Sequence, residues 1–263
     1  MSYLIAIILG LVQGLTEFLP VSSSGHLTAI EIAFGNSGGD VLFNVLLHIA
    51  TLLALVIAMK KQIAELFKNP LGKNVRLLLL SSVITGIVGL VIDHFVGASG
   101  NLLMVALGFF ATGVLLIILH FFVQSRHYHD HQIGYKQAIS VGIVQGIAVL
   151  PGLSRSGSTL CAGVFSGAGQ KQSAEFSFLL SFPIILLGMA YELYKGFSGG
   201  FEMSTSQILP SVVGFVVAFL SALASIKLMM KLISKNKWLW FAAYLFVAGI
   251  VIIFIGLNFD KLT

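Results

Sequence analysis

The chain has 263 residues, of which 57% are hydrophobic and 10% are charged, and its mean hydropathy is +0.99. Because a soluble domain carries about 25% charged residues, this composition excludes a soluble globular protein and indicates an integral membrane protein. The net charge of +5 comes without a basic block, which argues against a nucleic-acid partner, and the single cysteine excludes an intramolecular disulfide.

The first informative stretch runs from Gln13 to His26 and has the sequence QGLTEFLPVSSSGH. A charged side chain at the centre of a bilayer costs roughly 2.5 to 3.5 kcal/mol on insertion scales, so Glu17 in this apolar region marks a candidate functional site. Pro20 and Gly25 interrupt the helix, and broken backbone is tolerated at membrane depth only where protein encloses it or where it lines a wet cavity. We predict two helical pieces around the break, Tyr3 to Leu19 and His26 to Phe34.

Six apolar runs farther along the chain are long enough to cross a hydrocarbon core of about 30 Å at 1.5 Å per residue. They are Val41 to Met59, Leu77 to Val96, Leu102 to Val123, Phe176 to Tyr194, Ile208 to Met230 and Trp238 to Leu257. Asn44 and His48 lie one turn apart in the first run and share a face. We interpret them as hydrogen-bonding groups between helices, with a supporting role at the site as the alternative.

The sequence HYHDH at positions 127–131 contains residues that bind metals, but it lies in a polar loop with no further ligands nearby. A zinc site needs a set of three or four ligands in defined geometry. We therefore do not predict a metal site in this loop.

A second copy of the Glu17 stretch follows 132 residues later. The matching pairs are Gln13-Gly14 with Gln145-Gly146 and Ser24-Gly25 with Ser156-Gly157. The copies differ in charge, since the second contains Arg155 in the sequence PGLSRSGST. Its predicted helical pieces are Gln137 to Leu150 and Ser158 to Ala168. A nine-residue piece such as 26–34 is only about 14 Å long, roughly half of the hydrocarbon core, so both copies are predicted to form re-entrant hairpins.

Short loops rich in lysine and arginine stay on the cytoplasmic side of a membrane. Twelve of the fifteen basic residues fall on one side of the predicted topology: Lys60, Lys61, Lys68, Lys73, Arg76, Arg126, Lys136, Lys171, Lys227, Lys231, Lys235 and Lys237. Both termini and the loops 97–101 and 197–207 are therefore predicted to face outward.

Each copy is followed by three spans, and an odd number of crossings inverts the second copy relative to the first. The predicted fold is an all-α polytopic membrane protein with six transmembrane helices plus two re-entrant helical hairpins in an inverted-topology repeat. It forms a single integral membrane domain over residues 1–263, with repeats at 1–123 and 137–257.

The second copy has the composition of an anion site. Arg155 offers a planar fork that suits phosphate oxygens, and a half-helix starting near Ser158 would direct free N–H groups at the anion. Hydroxyl donors and a flexible backbone surround it at Ser154, Ser156, Gly157, Ser158 and Thr159.

The first copy supplies complementary groups. Glu17 is a candidate base or metal ligand, Ser23 a candidate nucleophile and His26 a candidate acid or base, with Gln13 and Ser24 as candidate substrate-binding residues. Phosphoryl transfer needs this combination of an oriented nucleophile and charge stabilisation. The alternative is that Glu17 and Arg155 form a salt bridge that only pins the two hairpins together.

The two motifs together closely resemble those of the bacterial undecaprenyl-diphosphate phosphatase family, also called the bacitracin-resistance proteins, and AEFSFLL at positions 174–180 fits as well. The resemblance covers essentially the whole chain. It implies an integral enzyme of the bacterial cell membrane that removes the terminal phosphate from undecaprenyl diphosphate, the lipid carrier of peptidoglycan synthesis. It also implies an active site that is reached from the outer face.

Carried over by position, the resemblance implies roles for Glu17, Ser23, His26 and Arg155, with Gln13 at a position that is Glu or Gln in the family. It also suggests a requirement for Mg²⁺ or Ca²⁺, with Glu17 as a possible ligand. Many relatives have Glu at the Gln13 position and a carboxylate at Asn44, so this chain has fewer acidic ligands than the family pattern.

Two questions stay open at the level of the sequence. Either Ser23 or a water molecule could attack the terminal phosphorus. The chain could also be a transporter or a translocase of the lipid carrier, because inverted repeats with broken helices are a transporter design. A purely structural membrane scaffold would leave the paired buried charges without a purpose.

Overall fold

The computed structural model describes residues 2–34, 41–96, 101–125, 131–199 and 205–258. These ranges contain eleven α-helices and no β-strand. The helices are α1 (Tyr3–Thr16), α2 (Ser23–Ala33), α3 (Val41–Ala58), α4 (Lys60–Lys68), α5 (Lys73–Val96), α6 (Leu102–Gln124), α7 (Tyr135–Ile147), α8 (Arg155–Phe165), α9 (Gln170–Gly199), α10 (Thr205–Ile233) and α11 (Trp238–Asn258). Most of the loop 97–101 and of the histidine-rich loop at 127–131 lies outside the described residues, as do residues 200–204. The predicted loop 197–207 is shorter than expected, because α9 continues to Gly199 and α10 begins at Thr205.

Six of these helices, α3, α5, α6, α9, α10 and α11, are long and apolar enough to cross a bilayer. They coincide with the six predicted runs, although α9 begins at Gln170 rather than Phe176. Hydropathy detects only the part of a helix that lies in hydrocarbon, whereas the backbone continues its hydrogen bonding into the polar interface. The chain is therefore an all-α, multi-pass membrane protein.

The four remaining helices of the two motifs are shorter than a span. α2 and α8 have eleven residues each, which corresponds to about 16 Å. Both begin earlier than the sequence predicts, at Ser23 rather than His26 and at Arg155 rather than Ser158. The reason is a serine cap, because the Ser22 and Ser154 hydroxyls accept hydrogen bonds from the amides of Gly25 (3.4 Å) and Gly157 (3.2 Å).

Several helices in the two halves begin at the 132-residue offset of the sequence repeat. The pairs are Tyr3 and Tyr135 for α1 and α7, Ser23 and Arg155 for α2 and α8, and Lys73 and Thr205 for α5 and α10. The first helix of each half packs against a helix of the other half: α1 lies along α10, and α7 lies along α5. Helices α6 and α11 also pack on each other, so the two halves interlock.

The core holds the two helix breaks together. Phe18 lies in the first break and is 1% exposed, and its ring meets Phe178 of α9 edge to face with centroids 5.4 Å apart. Phe109 of α6 and Leu160 of α8 belong to the same buried cluster. This cluster fixes the first break against α6, α8 and α9.

Candidate active site

The breaks after α1 and α7 meet at one cavity of about 230 Å³, which we call the hairpin cavity. Its polar lining is Thr16, Glu17, Ser22, Ser23, Ser24, His48, Ser154, Arg155 and Ser156. Its apolar lining is Ala148, Leu153, Ile184, Ile185, Gly188 and Met189. The two halves of the sequence repeat therefore contribute to one site.

Glu17 follows the last residue of α1 and is 5% exposed. Its Oε2 accepts hydrogen bonds from Gln13 Nε2 at 3.0 Å and from Ser23 Oγ at 2.6 Å, while its Oε1 pairs with Nη2 of Arg155. A buried carboxylate is tolerated only when charge and hydrogen-bond partners compensate for lost hydration. These three partners supply that compensation.

Ser23 has the geometry of a nucleophile beside its base. The distance of 2.6 Å to Glu17 Oε2 lies in the range of a charge-assisted hydrogen bond between a hydroxyl and a carboxylate. Ser22, directly before it, has φ of 66°, which is unusual for a residue other than glycine. Such backbone strain costs about 1–3 kcal/mol and is concentrated at functional sites. Here it turns the chain so that Ser23 starts α2 inside the cavity.

Arg155 is the first residue of α8. Its side chain is 19% exposed, compared with 4% for Glu17, so the guanidinium forms the more accessible part of the pair. The N-terminal end of α8, with its positive dipole end, lies beside the same space. The arrangement suits an anion that approaches from the open side of the cavity.

Hydrogen bonds tie the second break to the first and to α6. Ser156 Oγ donates to the carbonyl of Leu19 at 2.7 Å, and the amide of Ser154 donates to Thr112 Oγ1 at 3.0 Å. A Cβ at Gly157 would lie 3.1 Å from Pro20, which is tighter than nearly all real contacts. Glycine at this position therefore allows α8 to approach the first break.

His26 lies behind the Ser22 turn and does not line the hairpin cavity. Its Nδ1 is 2.8 Å from the Ser22 carbonyl oxygen, which can only accept, so Nδ1 carries the proton. Its Nε2 is 2.6 Å from the Tyr244 hydroxyl, and its ring packs against Phe109 and Tyr244. The structure thus gives His26 two fixed partners and does not bring it to the predicted position of an acid or base in the cavity.

His48 of α3 is the imidazole that lines the cavity, and it does so together with Glu17. Its Nδ1 donates to the Asn44 carbonyl at 2.8 Å, which leaves Nε2 as the nitrogen for a ligand. Asn44 itself bonds through Nδ2 to Glu31 of α2 at 3.3 Å, as predicted for a link between helices. The position of His48 favours the alternative interpretation, a role at the site, and its only signal in the sequence is a polar residue inside an apolar span.

The other predicted residues divide into two groups. Ser24, Ser154 and Ser156 line the cavity, whereas Gln13, Gly157 and Thr159 do not. Gln13 is fully buried and supports Glu17, and Thr159 is fully buried with its hydroxyl 2.5 Å from Ser177 Oγ.

The residues around Glu17 do not by themselves form a complete ligand set for Mg²⁺ or Ca²⁺. Ca²⁺ takes about six to eight oxygen ligands, whereas Mg²⁺ is usually bound through one or two carboxylates together with waters and substrate phosphates. In the described part of the chain, Glu17 is the one carboxylate that lines the cavity, and no group of three or more His, Cys, Asp or Glu side chains is placed to hold a metal. Both Glu17 oxygens are already engaged, one of them by the cation Arg155.

Comparison with known proteins shows the family to which this chain is related. The family described as bacitracin resistance protein BacA matches residues 6–251. An undecaprenyl-diphosphatase from Carboxydothermus hydrogenoformans is 36% identical over 94% of this chain and 95% of its own length. Undecaprenyl-diphosphatase 1 from Shouchella clausii is 34% identical over 96% of both chains, and an undecaprenyl-diphosphatase from Bacteroides thetaiotaomicron is 35% identical over 96% of this chain and 98% of its own. This chain therefore belongs to the bacitracin resistance protein BacA family.

Proposed function

We propose that the protein is an undecaprenyl-diphosphate phosphatase, which converts undecaprenyl diphosphate to undecaprenyl phosphate and inorganic phosphate. The observation that carries this proposal is the hydrogen bond of 2.6 Å between Ser23 Oγ and Glu17 Oε2 in a cavity that also contains Arg155. The names of the similar proteins agree with it. The reaction would recycle the lipid carrier of peptidoglycan synthesis and so give resistance to bacitracin.

In the first step, Ser23 Oγ attacks the terminal phosphorus while its proton passes to Glu17. An O–P bond to Ser23 forms, the bond to the bridging oxygen breaks, and undecaprenyl phosphate leaves with the bond electrons and takes up the proton that Glu17 received, so Glu17 is again a carboxylate. In the second step, water attacks the phosphoserine and gives a proton to Glu17, which returns a proton to the departing Ser23 oxygen. Inorganic phosphate is released and the site is restored.

Direct attack by water is the alternative route, and it would use Glu17 as the base without a phosphoserine. The Ser23–Glu17 distance favours the covalent route, because the hydroxyl occupies the position at the base where the attacking group belongs.

Arg155 has the role of holding the phosphate oxygens. Its fork can keep one nitrogen on Glu17 and direct others at the substrate, which stabilises the charge that develops on the transferred group. His48 is the imidazole available in the cavity for a further proton transfer, and His26 positions Ser22 and therefore Ser23. No step is assigned to Mg²⁺ or Ca²⁺; Glu17 is the residue that would hold such an ion together with the substrate phosphates, and the ion would supply further charge stabilisation.

For the architecture we propose two re-entrant hairpins, α1–α2 and α7–α8, in an inverted-topology repeat that forms a single domain. The shared offset of the helix starts and the exchange of packing between α1–α10 and α7–α5 support this arrangement. The distribution of basic residues supports a cavity that opens to the outer face of the bacterial cell membrane.

The experiment that tests the function measures phosphate release from undecaprenyl diphosphate by the detergent-purified protein. We expect turnover in wild type and none in Ser23→Ala. A transporter or translocase of the lipid carrier would release no phosphate in detergent, since it has no membrane to cross. Absence of release by wild type would therefore favour that second reading over the phosphatase.

A further inference from the structure

The hairpin cavity has an apolar side that the chemistry proposed above does not use. Four of its apolar lining residues belong to α9: Ile184, Ile185, Gly188 and Met189. Residues 184 and 188 are one helical turn apart, as are 185 and 189, so the four share one face of the helix. We call these four residues the α9 wall. The polar lining of the same cavity carries all the proposed reacting groups.

Gly188 leaves open space in this wall. A Cβ built at Gly188 would have nothing within 4 Å, whereas a Cβ at Gly10 or Gly14 would collide with the backbone of α10. Glycine at those two positions is needed for close packing of helices. At Gly188 it is not needed for packing, and the missing side chain leaves open space at this point of the cavity lining.

The same helix also faces the lipid. Leu187, next to Gly188, is 61% exposed, and Leu186 is 40% exposed. Gly188 itself is exposed, so the cavity is open at this point. An apolar chain that lies against the α9 wall can therefore leave the cavity at Gly188 and continue into hydrocarbon beside α9.

We propose that the α9 wall binds the first isoprene units of the lipid substrate. This inference rests on the proposed function, because it takes the diphosphate to be held at Ser23 and Arg155. A diphosphate held there leaves the carbon chain to begin inside the same cavity, where the remaining lining is apolar. The polar lining then selects the head group and the α9 wall selects the chain, with the space at Gly188 accommodating the methyl branches.

The test is Gly188→Leu, which adds a bulky apolar side chain at a position where a Cβ meets no atom within 4 Å. Its matched control is Gly86→Leu on α5, because a Cβ at Gly86 also has nothing within 4 Å but Gly86 does not line the cavity. The two substrates are undecaprenyl diphosphate and methyl diphosphate, which has the head group without an isoprene unit. We expect Gly188→Leu to lower kcat/KM for undecaprenyl diphosphate roughly tenfold or more and to leave kcat/KM for methyl diphosphate unchanged.

Each outcome decides a different point. If wild type releases no phosphate from undecaprenyl diphosphate, the proposed function fails. If wild type is active and Gly188→Leu behaves like Gly86→Leu, the α9 wall does not bind the chain. An equal loss with both substrates would also overturn the inference, because it would place the effect on the head group.

Cysteine labelling gives a second measurement that needs no bulky side chain. Gly188→Cys and Gly86→Cys are made in a Cys161→Ala background and treated with N-ethylmaleimide. We expect undecaprenyl diphosphate to protect position 188 and not position 86. No protection at 188, or equal protection by phospholipid alone, would contradict a substrate-specific wall.

Discussion

Arg155 and Glu17 form an ion pair although 138 residues separate them in the chain. The pair joins the first residue of α8 to the end of α1, so it connects the two copies of the sequence repeat across the cavity. A pair in this position can pin the hairpins together or present the guanidinium to a phosphate. The two roles predict different effects of substitution.

Arg155→Lys separates these roles. Lysine keeps the positive charge for Glu17, but it lacks the rigid fork that holds two phosphate oxygens at once. We expect the variant to express and to keep its thermal stability while phosphate release falls by about 10²-fold, mainly in kcat. Full activity would exclude the phosphate-holding role, and loss of stability together with activity would favour a purely structural pair.

Glu17→Gln tests the base. The amide keeps the shape of the side chain and removes the acceptor of the Ser23 proton, so we expect phosphate release to fall by at least about 10²-fold with normal expression. Glu31→Gln is the matched control, because Glu31 is a half-buried carboxylate near Glu17 in the sequence but lies outside the hairpin cavity. Wild-type turnover in Glu17→Gln would reduce Glu17 to a structural role.

Ser23→Ala and Ser24→Ala test the nucleophile. Both serines line the cavity, but only Ser23 donates to Glu17. We expect Ser23→Ala to lose turnover and Ser24→Ala to stay within a few fold of wild type. Rapid quench with substrate labelled in the terminal phosphate should trap the label on Ser23. Residual turnover in Ser23→Ala without a trapped phosphoserine in wild type would indicate attack by water.

His48→Ala and His26→Ala distinguish the two imidazoles through kcat and thermal stability. His48 lines the cavity, so we expect His48→Ala to lower kcat for phosphate release by about 10²-fold and to keep its thermal stability. His26 contacts Ser22 and Tyr244 instead, so we expect His26→Ala to lose thermal stability together with kcat, because the Ser22 turn loses its support. A stable but inactive His26→Ala beside an active His48→Ala would assign the proton transfer to His26.

The predicted orientation can be checked by cysteine accessibility in a Cys161→Ala background. Single cysteines at Ser99 and Ser204, which lie outside the described residues, should react with an impermeant thiol reagent in intact cells. A cysteine at Asn74, an exposed residue at the start of α5, should not react. Labelling at Asn74 alone would invert the topology and place the hairpin cavity on the cytoplasmic face.

Much of the fold could be read from the sequence, because hydropathy and helix breaks are properties of consecutive residues. Local composition predicts the six spans and the breaks around Pro20 and Pro151. The repeat predicts that Glu17 and Arg155 belong to one site, either as reacting groups or as a salt bridge. The predicted starts of α2 and α8 are each three residues too late, because a serine cap extends each helix toward the break.

Tertiary structure alone decided which side chains face the cavity. His26 and His48 are both imidazoles near the site in the sequence, yet His26 reaches back to Ser22 because helical side chains tilt toward the N-terminus, while His48 lines the cavity from another helix. Gln13 and Gln145 are equivalent in the repeat, but one supports Glu17 and the other bonds to Thr85. The neighbours that a side chain meets depend on how the helices pack against each other, and a sequence repeat does not contain that information.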